Sequence, residues 1–164
     1  MKELFIVRHA KSSWDYPNLA DYERPLNERG KRDAPKMASL LQAKTKEIDY
    51  IVSSPAIRAK ETSLEFSRKF RNASVDFKET IYESNVENLT NIVQSFDDQH
   101  SKVILVGHNP GLTFLANYYL GDSIGHLPTC GIIGIQFHIN QWVMITKELG
   151  VKLCELSPKN SVNF

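Results

Sequence analysis

Three short, largely apolar runs, Leu4–Val7, Ile48–Val52 and Val103–Val106, constrain the fold more than any other feature of the chain. Runs of this length suit strands buried on both faces, as in a parallel sheet covered by helices. The segments between and after them repeat apolar residues at helical spacing. Ala34, Met37, Ala38 and Leu41 mark one helix face, and Leu89, Ile92, Val93 and Phe96 a second. Leu112, Leu115, Ala116 and Tyr119 mark a third. A further helix is expected from Pro55 to about Phe70, burying Ala59, Ser63, Phe66 and Phe70. Pro35 falls inside the first helix, where its ring and missing N–H predict a kink or a fresh start.

The residues that end the strands carry the topology. Ser54-Pro55 and Asn109-Pro110 each set an N-cap residue before a proline at the first helical position. Each pair directly follows an expected strand, so the chain reads as strand–turn–helix units with right-handed crossovers. Late in the chain, Ile132–Ile139 and Trp142–Leu149 suggest two strands joined by a tight turn at Asn140-Gln141. The polar tail from Ser157 onward is expected to be loose. The resulting fold class is α/β. It is a single domain over residues 1–164, a three-layer α/β/α sandwich with a mostly parallel sheet and an antiparallel edge hairpin.

Several function classes lose support at once. A formal net charge of +1 gives no general attraction for nucleic acid or a membrane surface. No apolar run approaches the roughly 18 residues of a membrane helix. The apolar N-terminus stops at Arg8-His9 with no small-residue cleavage site after it, so it reads as a strand rather than a signal peptide. Cys130 and Cys154 are the only cysteines, a usage that fits the reduced cytoplasm and is also compatible with one disulfide.

In open α/β sheets, ligands bind beyond the carboxyl ends of the strands. Arg8 and His9 end the first strand, Ser53, Ser54 and Arg58 follow the second, and Gly107, His108 and Asn109 end the third. Two arginines and two histidines, far apart in sequence, are thereby directed to one edge. The N-termini of two helices add backbone N–H groups and positive partial charge there. Such a place suits a dianion. A phosphoryl group needs donors around its equatorial oxygens and a nucleophile in line with the leaving oxygen. Arginine forks supply the donors, and a neutral imidazole can be the nucleophile. Spacing alone leaves open which histidine attacks.

Here the chain resembles a known family. Arg8-His9-Ala10-Lys11-Ser12-Ser13-Trp14 looks like the signature of the histidine phosphatase superfamily, which includes phosphoglycerate mutases. Arg24-Pro25-Leu26-Asn27-Glu28-Arg29-Gly30 resembles the opening of that family's first helix. Ser53 through Thr62 is similar to its SSPxxRAxxT motif, and Gly107-His108-Asn109-Pro110-Gly111 to its second histidine motif. The SixA-type phosphohistidine phosphatases share these boxes and also Leu127-Pro128-Thr129, so the resemblance runs from about residue 2 to residue 148. It implies His9 as nucleophile, with Arg8, Arg58 and His108 completing the phosphate pocket. Ile81-Tyr82-Glu83 aligns with the family's L-x-E element, whose glutamate protonates the leaving group, but lacks the glycine-rich sequel of the mutases. Ser12 and Asn109 are expected to touch phosphate.

Taken singly, each residue has a plainer reading. His9 is equally a structural histidine at a strand end, Arg58 a helix-surface charge and Glu83 an exposed glutamate. Trp14 reads as packing, and His100, His126 and His138 as structural or solvated. The joint register of Arg8, His9, Arg58 and His108 favours the site. Other chemistries lack their residues. A cysteine phosphatase needs Cys-x₅-Arg, but Gln136 and Asn160 stand where the arginine would follow Cys130 and Cys154. No Walker loop, no H-E-x-x-H and no G-x-S-x-G is present.

The expectation is therefore a phosphatase working through a phosphohistidine on His9, with neither metal nor other cofactor in the scheme. An imidazole leaves more readily than an alkoxide, so a weak acid element is compatible with a phosphohistidine-bearing protein as substrate. The alternatives are a small-metabolite phosphomonoesterase of the same chemistry and a phosphate-binding module without turnover. Short connections leave no large lid, although Leu19–Arg24 and Gly121–Pro128 are placed to close over the site.

Overall fold

The computed structural model describes residues 1–160. Among them, β1 (Lys2–Arg8), β2 (Tyr50–Ser53), β3 (Ser74–Phe77) and β4 (Lys102–Gly107) run parallel. β5 (Ile132–Phe137) lies antiparallel to β1, and β6 (Val151–Leu156) antiparallel to β5. The sheet order is β3-β2-β4-β1-β5-β6. The helices are α1 (Glu28–Lys44), α2 (Ile57–Lys69), α3 (Val86–Gln94) and α4 (Gly111–Leu120).

Alternation along the central strands builds two cores, one on each face. Phe5 and Val7 of β1 join Ile104 and Val106 of β4 under α1 and α2, packed with Met37, Leu41 and Phe66. Leu4 and Ile6 point the other way with Val103 and Leu105, against Leu89, Val93, Leu112 and Leu115 of α3 and α4. This is the three-layer arrangement that doubly buried strands require. All four helix faces expected from periodicity are buried. Phe70 and Phe96 lie just past the ends of α2 and α3, yet both remain in the core.

Three local expectations are corrected. Helix α1 runs continuously through Pro35 rather than starting afresh there, because its buried stripe of Ala34, Met37, Ala38 and Leu41 spans the proline and holds both halves on one core. The return strand of the edge pair is Val151–Leu156 rather than Trp142–Leu149. Trp142 is drawn out of any strand by burial: it packs edge-on against Phe96, its Nε1–H donates to the His100 carbonyl at 2.8 Å, and a 3-10 turn, Trp142–Met144, replaces the tight hairpin. The short strand β3 has a mostly exposed pattern that apolar periodicity does not signal. The tail is tied as far as it is described. Ser157 is buried, Asn160 N–H donates to its carbonyl, and Lys36 Nζ donates to the Pro158 carbonyl. Residues 161–164 lie outside the described residues.

Two glycines bring loops toward the carboxyl edge of the sheet. A Cβ on Gly30 would meet the Lys11 carbonyl oxygen, so glycine lets the first turn of α1 press against the chain leaving β1. A Cβ on Gly111 would meet the Ser84 carbonyl oxygen, so the N-terminus of α4 can press against the turn after Tyr82.

Candidate active site

The end of β1 is fixed from both sides. His9 N–H donates to the Gly107 carbonyl of β4 at 3.1 Å, and Cys130 N–H donates to the carbonyls of Arg8 and His9. The next backbone N–H, that of Ala10, donates to Thr62 Oγ1 at 3.0 Å, while the Thr62 hydroxyl donates to the Arg58 carbonyl at 2.7 Å. Helix α2 is thus locked beside the strand end that carries His9. The motifs expected to converge do so.

The tautomer of His9 follows from its partner. Nδ1 lies 2.8 Å from the Ala10 carbonyl, which can only accept, so Nδ1 carries the proton and neutral Nε2 keeps its lone pair. Nε2 faces Arg58, whose Nε–H approaches it at 3.4 Å, a long contact. Burial drives the His9 pKa down to about 3; the hydrogen bond to Ala10 opposes this, and His108, Arg58 and Arg8 add to it. The ring is therefore neutral at ordinary pH, as nucleophilic attack requires.

His108 stands opposite, its ring centroid 5.2 Å from that of His9. Its Nε2 is 2.8 Å from Ser54 Oγ, and that oxygen also accepts from Ala56 N–H at 3.2 Å. With Ser54 giving its hydroxyl proton to Nε2, the ring proton sits on Nδ1 and makes it a donor. Burial, then the charge of Arg58, hold the His108 pKa at about 4. Among the described residues, His108 Nδ1 and Arg8 Nε are both buried without a hydrogen-bond partner. Buried polar atoms are seldom left so, because desolvation without a partner costs about 1–3 kcal/mol. Two unmatched groups beside a neutral nucleophile suit the oxygens of a phosphoryl group.

Asp21 and Tyr82 were not singled out from sequence, although the segments that carry them, Leu19–Arg24 and Ile81-Tyr82-Glu83, were expected at the site. Asp21, in a 3-10 turn over Asp21–Glu23, takes hold of Arg58. Its carbonyl accepts from Nη1 at 2.6 Å and its Oδ2 from Nη2 at 3.0 Å. The same Oδ2 accepts from the Tyr82 hydroxyl at 2.7 Å, and Oδ1 accepts from Arg24 Nε and Nη2 at 3.2 and 3.1 Å. Burial opposes ionisation of Asp21, but the Tyr82 hydrogen bond and the two arginines outweigh it and bring the pKa to about 2. Burial and the bond to Asp21 hold the Tyr82 phenol at about 12. On the other rim, Arg8 Nη1 lies 3.1 Å from His126 Nε2 and donates to the Leu127 carbonyl at 3.1 Å. His126, expected as structural or solvated, is exposed and reaches Arg8. The loops expected as covers both arrive at the pocket.

Other expected site residues have partners elsewhere. Ser12 is buried and its Oγ accepts from Arg24 Nη1 at 2.7 Å. The Asn109 amide donates to the Leu127 carbonyl at 2.8 Å, and its Oδ1 accepts from Thr113 N–H and hydroxyl. Both hold the walls of the pocket through protein contacts. The cap positions are also displaced. The helices begin at Ile57 and Gly111 rather than at the prolines, the Asn109-Pro110 peptide is cis, and Ser54 Oγ accepts from Ala56 N–H just before α2 while Asn109 Oδ1 accepts from Thr113 N–H in the first turn of α4. Glu83 has φ of 51° and an exposed side chain, and its carboxylate makes no hydrogen bond or ion pair among the described residues. The segment reaches the site through Tyr82 instead. Trp14 is 73% exposed, with the Arg24 guanidinium carbon over its ring at 3.7 Å from the ring centre, rather than in the core.

Cys130 and Cys154 are free, and burial raises both thiols, which leaves neither as a ready thiolate. Among the described residues no three His, Cys, Asp or Glu side chains gather to hold a metal, and no helix is long and apolar enough to cross a membrane.

A paired-histidine, arginine-lined pocket at the carboxyl edge of an α/β sheet defines a phosphoryl-handling protein. The profile of the histidine phosphatase superfamily, branch 1, matches residues 4–100. An uncharacterized chloroplastic protein of Arabidopsis thaliana is 33% identical over 151 residues, covering 86% of this chain and 69% of its own length. The chain belongs to the histidine phosphatase superfamily, and that membership supports a phosphatase activity. Its fold matches that of SixA from Agrobacterium tumefaciens, a candidate phosphohistidine phosphatase, with a TM-score of 0.83 at 24% identity over 96% of this chain and 98% of that one. The protein histidine phosphatase SixA complexed with tungstate aligns at a TM-score of 0.80 and 22% identity, over 96% and 98% of the two chains.

Proposed function

We propose that this protein is a protein phosphohistidine phosphatase, folded as one histidine phosphatase domain and acting in the cytoplasm through a covalent intermediate on His9. The observation that carries the reading is the orientation of His9: Nδ1 bound to the Ala10 carbonyl, and Nε2 turned toward Arg58 beside the unmatched Arg8 Nε and His108 Nδ1. In the first step the Nε2 lone pair attacks phosphorus and the bond to the leaving nitrogen breaks. Arg8, Arg58 and His108 hold the equatorial oxygens. Water then attacks phospho-His9, releasing inorganic phosphate and restoring the neutral ring.

The choice of a nitrogen leaving group is supported by the acids beside Arg58: Asp21, which binds it, and Tyr82, which binds Asp21. Asp21 is ionised at neutral pH and Tyr82 is a phenol of high pKa, so neither is a ready general acid. An imidazole can depart already protonated, whereas an alkoxide needs a proton delivered. A solved neighbour that is a protein histidine phosphatase and takes up tungstate, a tetrahedral oxyanion like phosphate, points the same way.

Rapid quench with a radiolabelled phosphohistidine protein tests the reading. The label is expected on the peptide bearing His9, stable to alkali and lost in acid, as a phosphoramidate is. Label on the peptide bearing His108 reverses the two roles, and turnover without any trapped species favours direct attack by water.

A further inference from the structure

One guanidinium separates the nucleophile from a carboxylate. Arg58 faces His9 Nε2 through its own Nε at 3.4 Å, and its Nη2 is held by Asp21 Oδ2 at 3.0 Å. Arg58 is buried, whereas the Asp21 side chain is 47% exposed, at the mouth of the pocket. A phosphoryl group entering beside His9 therefore shares Arg58 with Asp21 or displaces it. Of the five N–H donors of an arginine, one on each terminal nitrogen is taken by Asp21.

Arg24 is the other arginine bound to this carboxylate, and Arg8 stands on the opposite rim. Arg24 is turned onto Asp21 Oδ1, Ser12 and the Ser13 carbonyl. Arg8 directs Nη1 to His126 and the Leu127 carbonyl. The phosphoryl dianion matches Arg8 and Arg58, which leaves a second anionic group on the same substrate facing an ionised carboxylate. A ring that carries a proton would instead meet a counter-charge.

We propose that Asp21 determines specificity: it favours a phosphoryl group borne on a protonated imidazole and disfavours phosphomonoesters with a further negative charge beside the phosphoryl group. This rests on the proposed phosphatase activity and adds to it the residue that chooses the substrate. Tyr82 and Arg24 hold the carboxylate in place. Asp21 is not the acid; it is a fixed charge past which the leaving group departs.

Electrostatics sets the size of the effect. At the partly screened mouth of a pocket, a charge pair several ångströms apart is worth about tenfold in an equilibrium or rate ratio. The test uses the full chain and three probes: a phosphohistidine peptide, p-nitrophenyl phosphate, and 3-phosphoglycerate as a competitive inhibitor. Asp21→Asn is expected to lower kcat/KM for the phosphohistidine peptide about tenfold relative to p-nitrophenyl phosphate, and to tighten the Ki of 3-phosphoglycerate by a similar factor. Asp21→Glu keeps the charge and is expected to keep the wild-type preference. Equal losses on both substrates, or a Ki that does not tighten, overturn the proposal and leave Asp21 as a positioning residue for Arg58. Should Asp21→Asn fail to fold, the wild type still decides. Raising ionic strength is expected to narrow its preference, and a preference indifferent to salt overturns the proposal. A wild type inert toward both substrates overturns the phosphatase reading itself, a result distinct from any of these.

Discussion

Arg58 reaches His9 from the first turn of α2, its Nε 3.4 Å from the imidazole Nε2, although the two residues leave different strands of the sheet. The contact exists because Thr62 ties the Arg58 carbonyl to the backbone after β1, one helical turn further along α2. Asp21 fixes the far end of the same guanidinium. Nucleophile, donor and counter-ion thus form one connected unit, and changes in it carry distinguishable consequences.

Loss of the Arg58 side chain removes a preorganised donor to the transferring group. Arg58→Ala is expected to lower kcat by roughly 10²–10³, the range seen when such a donor is deleted. Arg68 lies on the last turn of the same helix, where it pairs with Glu65. Arg68→Ala is expected to change kcat little, and steady-state kinetics on the two variants checks this. Equal losses point to damaged folding rather than a lost donor.

The low pKa of His9 shifts the acid limb of the pH profile. An unperturbed imidazole would lose its nucleophilic form near pH ~6.5. Burial holds His9 near 3 and His108 near 4, so kcat/KM, corrected for substrate ionisation, is expected to stay level from neutral pH to about pH 5. It falls only as those rings protonate. The same shifts affect stability with a definite sign. Below about pH 6.5 the unfolded chain binds protons that the folded sites refuse, so stability declines as pH falls toward the folded values. Denaturant titrations at several pH values measure that decline.

Glu83 separates two leaving groups. Its carboxylate is exposed and makes no hydrogen bond or ion pair among the described residues, so Glu83→Gln is expected to slow phosphohistidine turnover by less than about tenfold, below what a positioned general acid contributes. A larger loss on an alkyl phosphate than on phosphohistidine would show that Glu83 supplies a proton only where the leaving group needs one. Parallel kinetics on the two substrates reads this directly.

Chelation is expected to leave the rate unchanged, since the described residues offer no cluster of metal-binding side chains. Activity after dialysis against EDTA, with and without added zinc, manganese or magnesium, is the check. Recovery on adding metal would favour metal-assisted hydrolysis.

Much of this protein was legible in local sequence. Leu4–Val7 and Val103–Val106 alternate between two cores, and an uninterrupted apolar run written for burial on both faces announces that. Arg8, His9, Arg58 and His108 could be nominated because each sits within a few residues of a strand end, where topology directs side chains to one edge. Edge strands were harder to read. β3 is mostly exposed, and β6 presents Val151 and Leu153 to solvent, so neither shows the pattern that burial imposes.

The sequence by itself determined the layers, the buried strands and the four polar residues at their ends, because periodicity and strand termination are short-range properties. Tertiary structure decided the company those residues keep. Asp21, Tyr82 and His126 belong to segments without apolar periodicity, and Asp21 meets Arg58 across 37 positions of chain and Tyr82 across 61. Close approach at Gly30 and Gly111 helps bring those loops inward, and Ser54 becomes a partner of His108 only when β2 lies beside β4. Such contacts form where separate segments pack against one sheet edge, and their charges acquire meaning from burial, which no window of sequence contains.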